Sequence, residues 1–111
     1  MLDGDAFFLP VRELGARIRQ RRLSPVELAE GCLERLERLG PRYNAVVTLM
    51  RESGLDEGRR AEREIQGGRY RGPLHGIPYG AKDLLATKGV PTTWGAAPYR
   101  EQVFDHYATV I

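Results

Sequence analysis

Residues 72–83 of the chain read GPLHGIPYGAKD, and this stretch, Gly72–Asp83, is its most informative segment. Glycines and prolines bracket a short run, Ile77–Lys82, whose length and flanking residues favour a strand. Because side chains alternate between the two faces of a strand, Lys82 is expected to share a face with Gly80. The glycine leaves space there for another backbone or a ligand. The stretch therefore predicts a strand that presents one lysine.

The composition of the chain singles out this lysine. Of its 17 basic residues, 15 are arginine, and Lys82 and Lys88 are the only lysines. Arginine cannot lose its proton in a protein, whereas lysine can when it is desolvated or lies near other cations. Lys82 is therefore a candidate general base. From composition alone, the alternative is a solvated charge at the end of a strand.

Two motifs in this region resemble the start of the amidase signature family. They are Gly76–Leu84, GIPYGAKDL, and Gly89–Gly95, GVPTTWG. Enzymes of that family hydrolyse or transfer carboxamides with a nucleophilic serine, a second serine whose peptide bond is cis, and a lysine. The resemblance extends loosely from about Leu9 to Ile111 and is specific between Gly72 and Gly95. It implies that Lys82 is the catalytic lysine, which relays a proton through the bridging serine.

The same resemblance implies an α/β fold: the N-terminal part of the amidase signature fold, with helices packed on a mixed sheet, incomplete in this chain. Residues 1–111 are expected to be one segment of a single domain. Within it, residues 1–10 form an arm, residues 11–71 form helices and a first strand, and residues 72–111 hold the lysine-bearing strand and the following loop.

Local patterns predict the individual elements. Apolar residues at three- and four-residue spacing predict a helix over 11–22. A second helix starts with a capping box, Ser24 and Glu27, and is expected to stop at Gly40-Pro41. The β-branched run Asn44–Met50 predicts the first strand. Residues 51–55 are expected to turn, and residues 56–66 to form a third, exposed helix.

The charge and hydropathy of the chain indicate which partners and which cellular location to expect. The net charge is +2, and no apolar run approaches the 18 residues that a membrane span needs, so no membrane association is expected. The single cysteine, Cys32, excludes an internal disulfide and fits a cytoplasmic location. The arginines of the first helix lack interleaved aromatic residues, so they are interpreted as a solvated face and direct nucleic-acid binding is not expected.

The sequence supplies one part of the family's catalytic site. Its two serines, Ser24 and Ser53, do not lie in a Gly-Ser loop, and no metal-ligand cluster or cofactor motif is found. His75 and His106 could act as acid–base groups, but the family's mechanism needs no histidine, so structural roles are preferred.

The leading hypothesis is the N-terminal segment of an amide-bond hydrolase that acts on a small carboxamide, with Lys82 as its base. This 111-residue chain alone is predicted to be inactive. One alternative is a segment of the glutamine-hydrolysing A subunit of a tRNA-dependent amidotransferase, which works with partner subunits. Another is a non-catalytic interaction fragment.

Overall fold

A computed structural model describes residues 2–111, and the regular structure in that range is helical. The helices are α1 (Val11–Arg19), α2 (Pro25–Tyr43) and α3 (Arg51–Gln66), with short 3₁₀ helices at Gly4–Phe8 and Ala97–Tyr99. The described chain divides into two compact units. The first contains α1 to α3 and ends at Pro78, and the second is Tyr79–Ile111.

The predicted α/β fold with a mixed sheet is wrong for residues 2–111. Both expected strands, Asn44–Met50 and Ile77–Lys82, lack regular structure. The only β-type pairing within the described range is an isolated antiparallel bridge between Pro91 and Val103. A strand is stable where a neighbouring strand satisfies its backbone N–H and C=O groups. Neither stretch has such a neighbour in this range, and the local pattern that predicted it cannot supply one.

The core of the first unit is formed where the apolar sides of its helices meet. Its buried cluster consists of Leu14, Ile18, Leu23, Leu28 and Ile65. Partly buried side chains pack around this cluster: Leu2, Leu9, Cys32, Tyr70 and Ile77. The N-terminal arm and the residues just before Pro78 are thus both packed on the helices. The core therefore positions the first part of the stretch that the sequence singled out.

Helix α2 begins as the sequence predicts. The Ser24 Oγ accepts hydrogen bonds from the backbone N–H groups of Val26 and Glu27, at 3.1 and 3.2 Å, and Pro25 occupies the first helical position. These bonds satisfy two of the N–H groups that a helix start leaves unpaired. The same hydroxyl donates to the Glu62 carboxylate of α3. The N-cap residue of α2 is therefore also hydrogen-bonded to α3.

The predicted end of α2 at Gly40-Pro41 is wrong, because the helix continues to Tyr43 with Pro41 inside it. A proline this close to the end removes a single N–H from the helix. Asn44 then ends the helix in the left-handed conformation, with φ of 49°. The N–H groups of Asn44 and Ala45 donate to the carbonyls of Pro41 and Gly40. The predicted first strand thus starts inside a helix C-cap.

The turn predicted at residues 51–55 is also wrong, since α3 begins at Arg51. Arg51 Nε lies 2.8 Å from Glu37 Oε1 of α2, an ion pair between the two helices. Further along α3, a Cβ on the buried Gly58 would lie 3.5 Å from the Pro25 carbonyl oxygen. Residues 51–66 place few apolar side chains on one face, so packing against α2 contributes to the stability of this helix.

Gly15 of α1 provides a test of how the loop before the lysine is seated. A Cβ at Gly15 would lie 2.5 Å from the Pro73 carbonyl oxygen, so the loop backbone lies directly on the helix. We expect Gly15→Ala to lower the free energy of unfolding by about 1–3 kcal/mol, because either the helix or the loop must move. Urea denaturation followed by circular dichroism measures the change.

Gly54 is the matched control, because it lies inside α3 and a Cβ added there would have no atom within 4 Å. Gly54→Ala should stabilise the protein by about 0.5–1 kcal/mol, through helix propensity alone. A stabilisation of similar size from both substitutions would contradict the close packing of Pro73 on Gly15.

Candidate active-site lysine

Lys82 lies near the start of the second unit, in a loop that precedes a turn. Its backbone carbonyl accepts a hydrogen bond from the N–H of Leu85 at 3.1 Å. The Lys82 side chain is exposed, and within residues 2–111 its ammonium forms no hydrogen bond or ion pair. The position of this ammonium therefore depends on the backbone that carries it.

The adjacent residue, Asp83, supplies the main contact that orders this backbone. Its Oδ1 accepts from the Thr93 N–H at 2.7 Å, and its Oδ2 accepts from the Thr93 hydroxyl. The Trp94 N–H donates to the Asp83 backbone carbonyl at 3.1 Å. These bonds join the end of one motif to the end of the other. The sequence analysis did not find this role, because nothing in a spacing of ten residues indicates a contact.

The hydrogen bonds of Asp83 favour its charged form. The bond from the Thr93 hydroxyl lowers the pKa of the Asp83 carboxyl below its usual value, although burial opposes this change. The N–H groups of Thr93 and Gly95 add to the lowering. A carboxylate that accepts several hydrogen bonds is stabilised against protonation. Asp83 thus holds the loop as an anion at neutral pH.

This lowered pKa predicts how the loop responds to acid. The stabilisation from Asp83 is fully present above the pKa of an unfolded aspartate, about 3.9, and is lost as the pH falls through the lower value of the folded state. We expect the Thr93 amide resonance to move only below about pH 3.9 in an NMR titration.

Asp83→Asn is the control for this titration, because the amide cannot ionise and the acid-dependent movement of the Thr93 resonance should disappear. A midpoint at or above the ordinary aspartate value in the unsubstituted protein would contradict a hydrogen-bonded Asp83 anion.

The two threonines of the second motif lie inside the second unit. Thr92 is 1% exposed and Thr93 is 7% exposed. The Thr92 N–H donates to the Gln102 carbonyl at 2.8 Å, and Gln102 Nε2 donates to the Thr92 carbonyl at 3.1 Å. The Thr92 Oγ1 accepts from the Thr87 N–H at 3.4 Å. Both hydroxyls thus hold the loop together, and neither is directed to solvent.

His75 lies in the first unit, where it connects the loop to α3. Its side chain is 7% exposed, and Nε2 lies 3.0 Å from Glu64 Oε2. Its Nδ1 accepts from the Arg71 N–H at 3.1 Å. Although burial opposes it, the hydrogen bond from Arg60 and the nearby charge of Arg71 keep the pKa of Glu64 below its usual value. Both ring nitrogens of His75 are thus engaged, one with α3 and one with the backbone of Arg71.

Comparison with known proteins shows which family the chain belongs to. A sequence model described as Amidase matches residues 27–111, which includes both motifs and Lys82. The chain belongs to the amidase signature family. The family prediction from the two motifs is thereby confirmed, whereas no solved structure matches the chain.

Relatives of two kinds match this amidase-family chain over nearly its whole length. An acylamidase of Rhodococcus erythropolis is 33% identical over 100% of the chain. A Mycobacterium bovis protein assigned as amidase AmiD is 39% identical over 99% of it. The A subunit of the glutamyl-tRNA(Gln) amidotransferase of Carboxydothermus hydrogenoformans is 32% identical over 96% of it. The chain spans 23%, 23% and 22% of these three proteins, respectively.

The serines of this amidase-family chain have structural partners. Ser24 caps α2 and donates to Glu62, and the Ser53 Oγ donates to the Met50 carbonyl at 3.5 Å within the first turn of α3. Burial raises the pKa of the Cys32 thiol, which a nearby arginine only partly offsets, so this cysteine is not an activated nucleophile.

Two further observations concern metal binding and membrane-spanning helices. Among residues 2–111, no group of three histidine, cysteine, aspartate or glutamate side chains could hold a metal ion. In the same range, no helix combines the length and apolar character needed to cross a membrane.

His106, the second candidate histidine, is exposed and lies 3.5 Å from the Asp105 carboxylate.

Proposed function

We propose that this chain is the N-terminal segment of an amide-bond hydrolase with a Ser/cis-Ser/Lys triad, and that Lys82 is its base. The observation that carries the proposal is the family match over residues 27–111, a range that includes Lys82 and both motifs. The scarcity of lysine in the chain and the ordered backbone on the C-terminal side of Lys82 support the assignment.

In the proposed mechanism, the nucleophilic serine attacks the amide carbon while its proton passes through the bridging serine to Lys82 Nζ. The proton then returns along the same route to the departing amine, and water releases the acyl group. Ser24 and Ser53 have other partners, which supports the proposal that both serines of the triad come from sequence outside this chain. A lysine acts as a base where burial or nearby cations disfavour its charged form. Because Lys82 is exposed here, we propose that this further sequence covers it.

The experiment is an amidase assay on the product of the complete reading frame, here called the full-length protein, beside the 111-residue chain. Release of ammonia from linear amides is followed with and without a serine-directed phosphonate. We expect turnover by the full-length protein that the phosphonate abolishes, and none by the shorter chain. Turnover by the shorter chain, or phosphonate labelling of Ser24 or Ser53, would contradict the proposal.

A second candidate function is that of the A subunit of a tRNA-dependent amidotransferase. It is favoured by the similar identity of the chain to an acylamidase, 33%, and to the A subunit of a glutamyl-tRNA(Gln) amidotransferase, 32%. This function predicts hydrolysis of glutamine that rises when the partner subunits of such an enzyme are added. A general amidase should hydrolyse simple amides equally well with or without them. Either function fits the cytoplasmic location that we propose.

A further inference from the structure

The Asp83 carboxylate and Thr93 form a contact that we call the Asp83–Thr93 clamp. The Thr93 N–H and hydroxyl both donate to the carboxylate, and the Gly95 N–H donates to the Thr93 Oγ1 at 3.2 Å. The Trp94 N–H donates to the Asp83 carbonyl. Main-chain and side-chain atoms of Asp83 are therefore both bonded to one short segment, Thr93–Gly95. The backbone immediately after Lys82 is fixed by these bonds.

The clamp is partly buried, on the side of its threonine. Thr93 is buried, and Thr92 beside it is bonded to Gln102 in both directions. The Gly89 N–H donates to the Phe104 carbonyl at 3.1 Å, which is a further link between residues 89–92 and residues 102–104. Hydrogen bonds to a charged group are among the stronger ones in proteins. The bonds of Thr92 and Gly89 hold the chain beside Thr93 in place.

The residue that follows Thr93 has an unusual backbone conformation. Trp94 has a φ of 55°, in the left-handed region that bulky side chains rarely adopt. Such a conformation persists where surrounding bonds determine it, and it is often found at functional sites. Here the Trp94 N–H is held by Asp83, and its ring lies 4.9 Å from the Tyr99 ring, centroid to centroid. The clamp thus maintains a loop shape that the local sequence does not favour.

We propose that Asp83 and Thr93 are positioning residues for Lys82: the clamp fixes the backbone from which the base reaches the serines. This inference rests on the proposed function. Because the Lys82 ammonium has no partner within residues 2–111, its placement depends on this backbone. Displacing a catalytic group by about 1 Å can lower a rate by about 100-fold.

The test compares Thr93→Val with Thr93→Ser in the full-length protein. Valine keeps the size of the side chain and removes the hydroxyl, whereas serine keeps the hydroxyl. We expect Thr93→Val to lower kcat by about 10- to 100-fold, with KM changed less than about twofold. Thr93→Ser should keep kcat within about threefold of the unsubstituted protein. Thr109→Val, an exposed threonine of the same unit, is the control and should leave both constants unchanged.

A second measurement keeps the inference testable without turnover. Amide exchange by NMR on the 111-residue chain should show faster exchange at Trp94 and Gly95 in Thr93→Val than in Thr93→Ser. The amides of α2 report on any general loss of stability. Unchanged exchange at Trp94 and Gly95 would overturn the clamp as an ordering contact.

The possible failures are distinguishable. If Lys82→Ala keeps its activity, the proposed function fails and the positioning role fails with it. If Lys82→Ala is inactive but Thr93→Val has unchanged kcat, only the positioning role is overturned. If Thr93→Val and Thr93→Ser lose kcat and thermal stability equally, the hydroxyl has no specific effect on the lysine, and the inference is again overturned.

Discussion

Replacing Lys82 with alanine is expected to lower the kcat/KM for amide cleavage by the full-length protein by about 10³- to 10⁴-fold. The proposed mechanism loses its proton acceptor, so the nucleophilic serine is no longer activated. Lys82→Arg should be equally inactive, because the guanidinium keeps its proton. Folding should be largely unaffected in both variants, since the Lys82 side chain is exposed and without partners within residues 2–111. Steady-state kinetics and thermal denaturation of the same samples measure the two effects.

Lys88 is the matched control for this substitution. It is the only other lysine of the chain, and it is exposed beside Gly89 in a turn. Lys88→Ala should leave both kcat/KM and the melting temperature unchanged. Near-normal turnover by Lys82→Ala would refute the assignment of the base, and an equal loss in Lys88→Ala would show that the assay responds to charge alone.

The second large effect is on stability, at Ile18. This side chain is 1% exposed in the buried cluster of the first unit, and its Cγ2 would lie 3.6 Å from a Cβ placed on Gly76. Ile18→Ala should lower the free energy of unfolding by about 2–5 kcal/mol, because it removes buried carbon atoms and leaves a cavity. That is a large share of the roughly 5–15 kcal/mol that stabilises a typical domain. Chemical denaturation measures the loss.

Two smaller substitutions calibrate this result. Ile18→Val removes one methylene and should cost about 0.5–1.5 kcal/mol. Val11→Ala in the same helix should be nearly neutral, within about 0.5 kcal/mol, because Val11 is 47% exposed. A loss below about 1 kcal/mol for Ile18→Ala would be inconsistent with a close-packed core at the junction of α1 and Gly76.

Features of the fold that depend on neighbouring residues could be predicted from the sequence. The start of α2 is an example, because Ser24, Pro25 and Glu27 together satisfy the local requirements of a helix N-terminus. The family could also be predicted, since the two motifs are short and nearly contiguous.

Features that depend on distant residues could not be predicted. A β-branched run such as Asn44–Met50 becomes a strand only beside a pairing partner, and no local pattern shows whether one is present. The early start of α3 at Arg51 has the same origin. There Arg51 contacts Glu37 of α2, a residue fourteen positions earlier that no local pattern links to it.

The clamp shows why the site was only partly predictable. Lys82 was noticeable by residue type, whereas no pattern in the sequence singled out Asp83. Its contact with Thr93 depends on how the chain returns after Gly89 and on the left-handed conformation of Trp94. A bulky residue gives no sequence signal for that conformation.

The central claim is that this chain is one segment of an amide hydrolase and contributes the base but not the serines. Sequencing the coding DNA downstream of codon 111 tests it most directly. The account predicts that the frame continues through an apolar helix and a strand into a loop rich in glycine and serine. A stop codon directly after Ile111 would contradict the account, because Lys82 would then have no serine partners within its own chain.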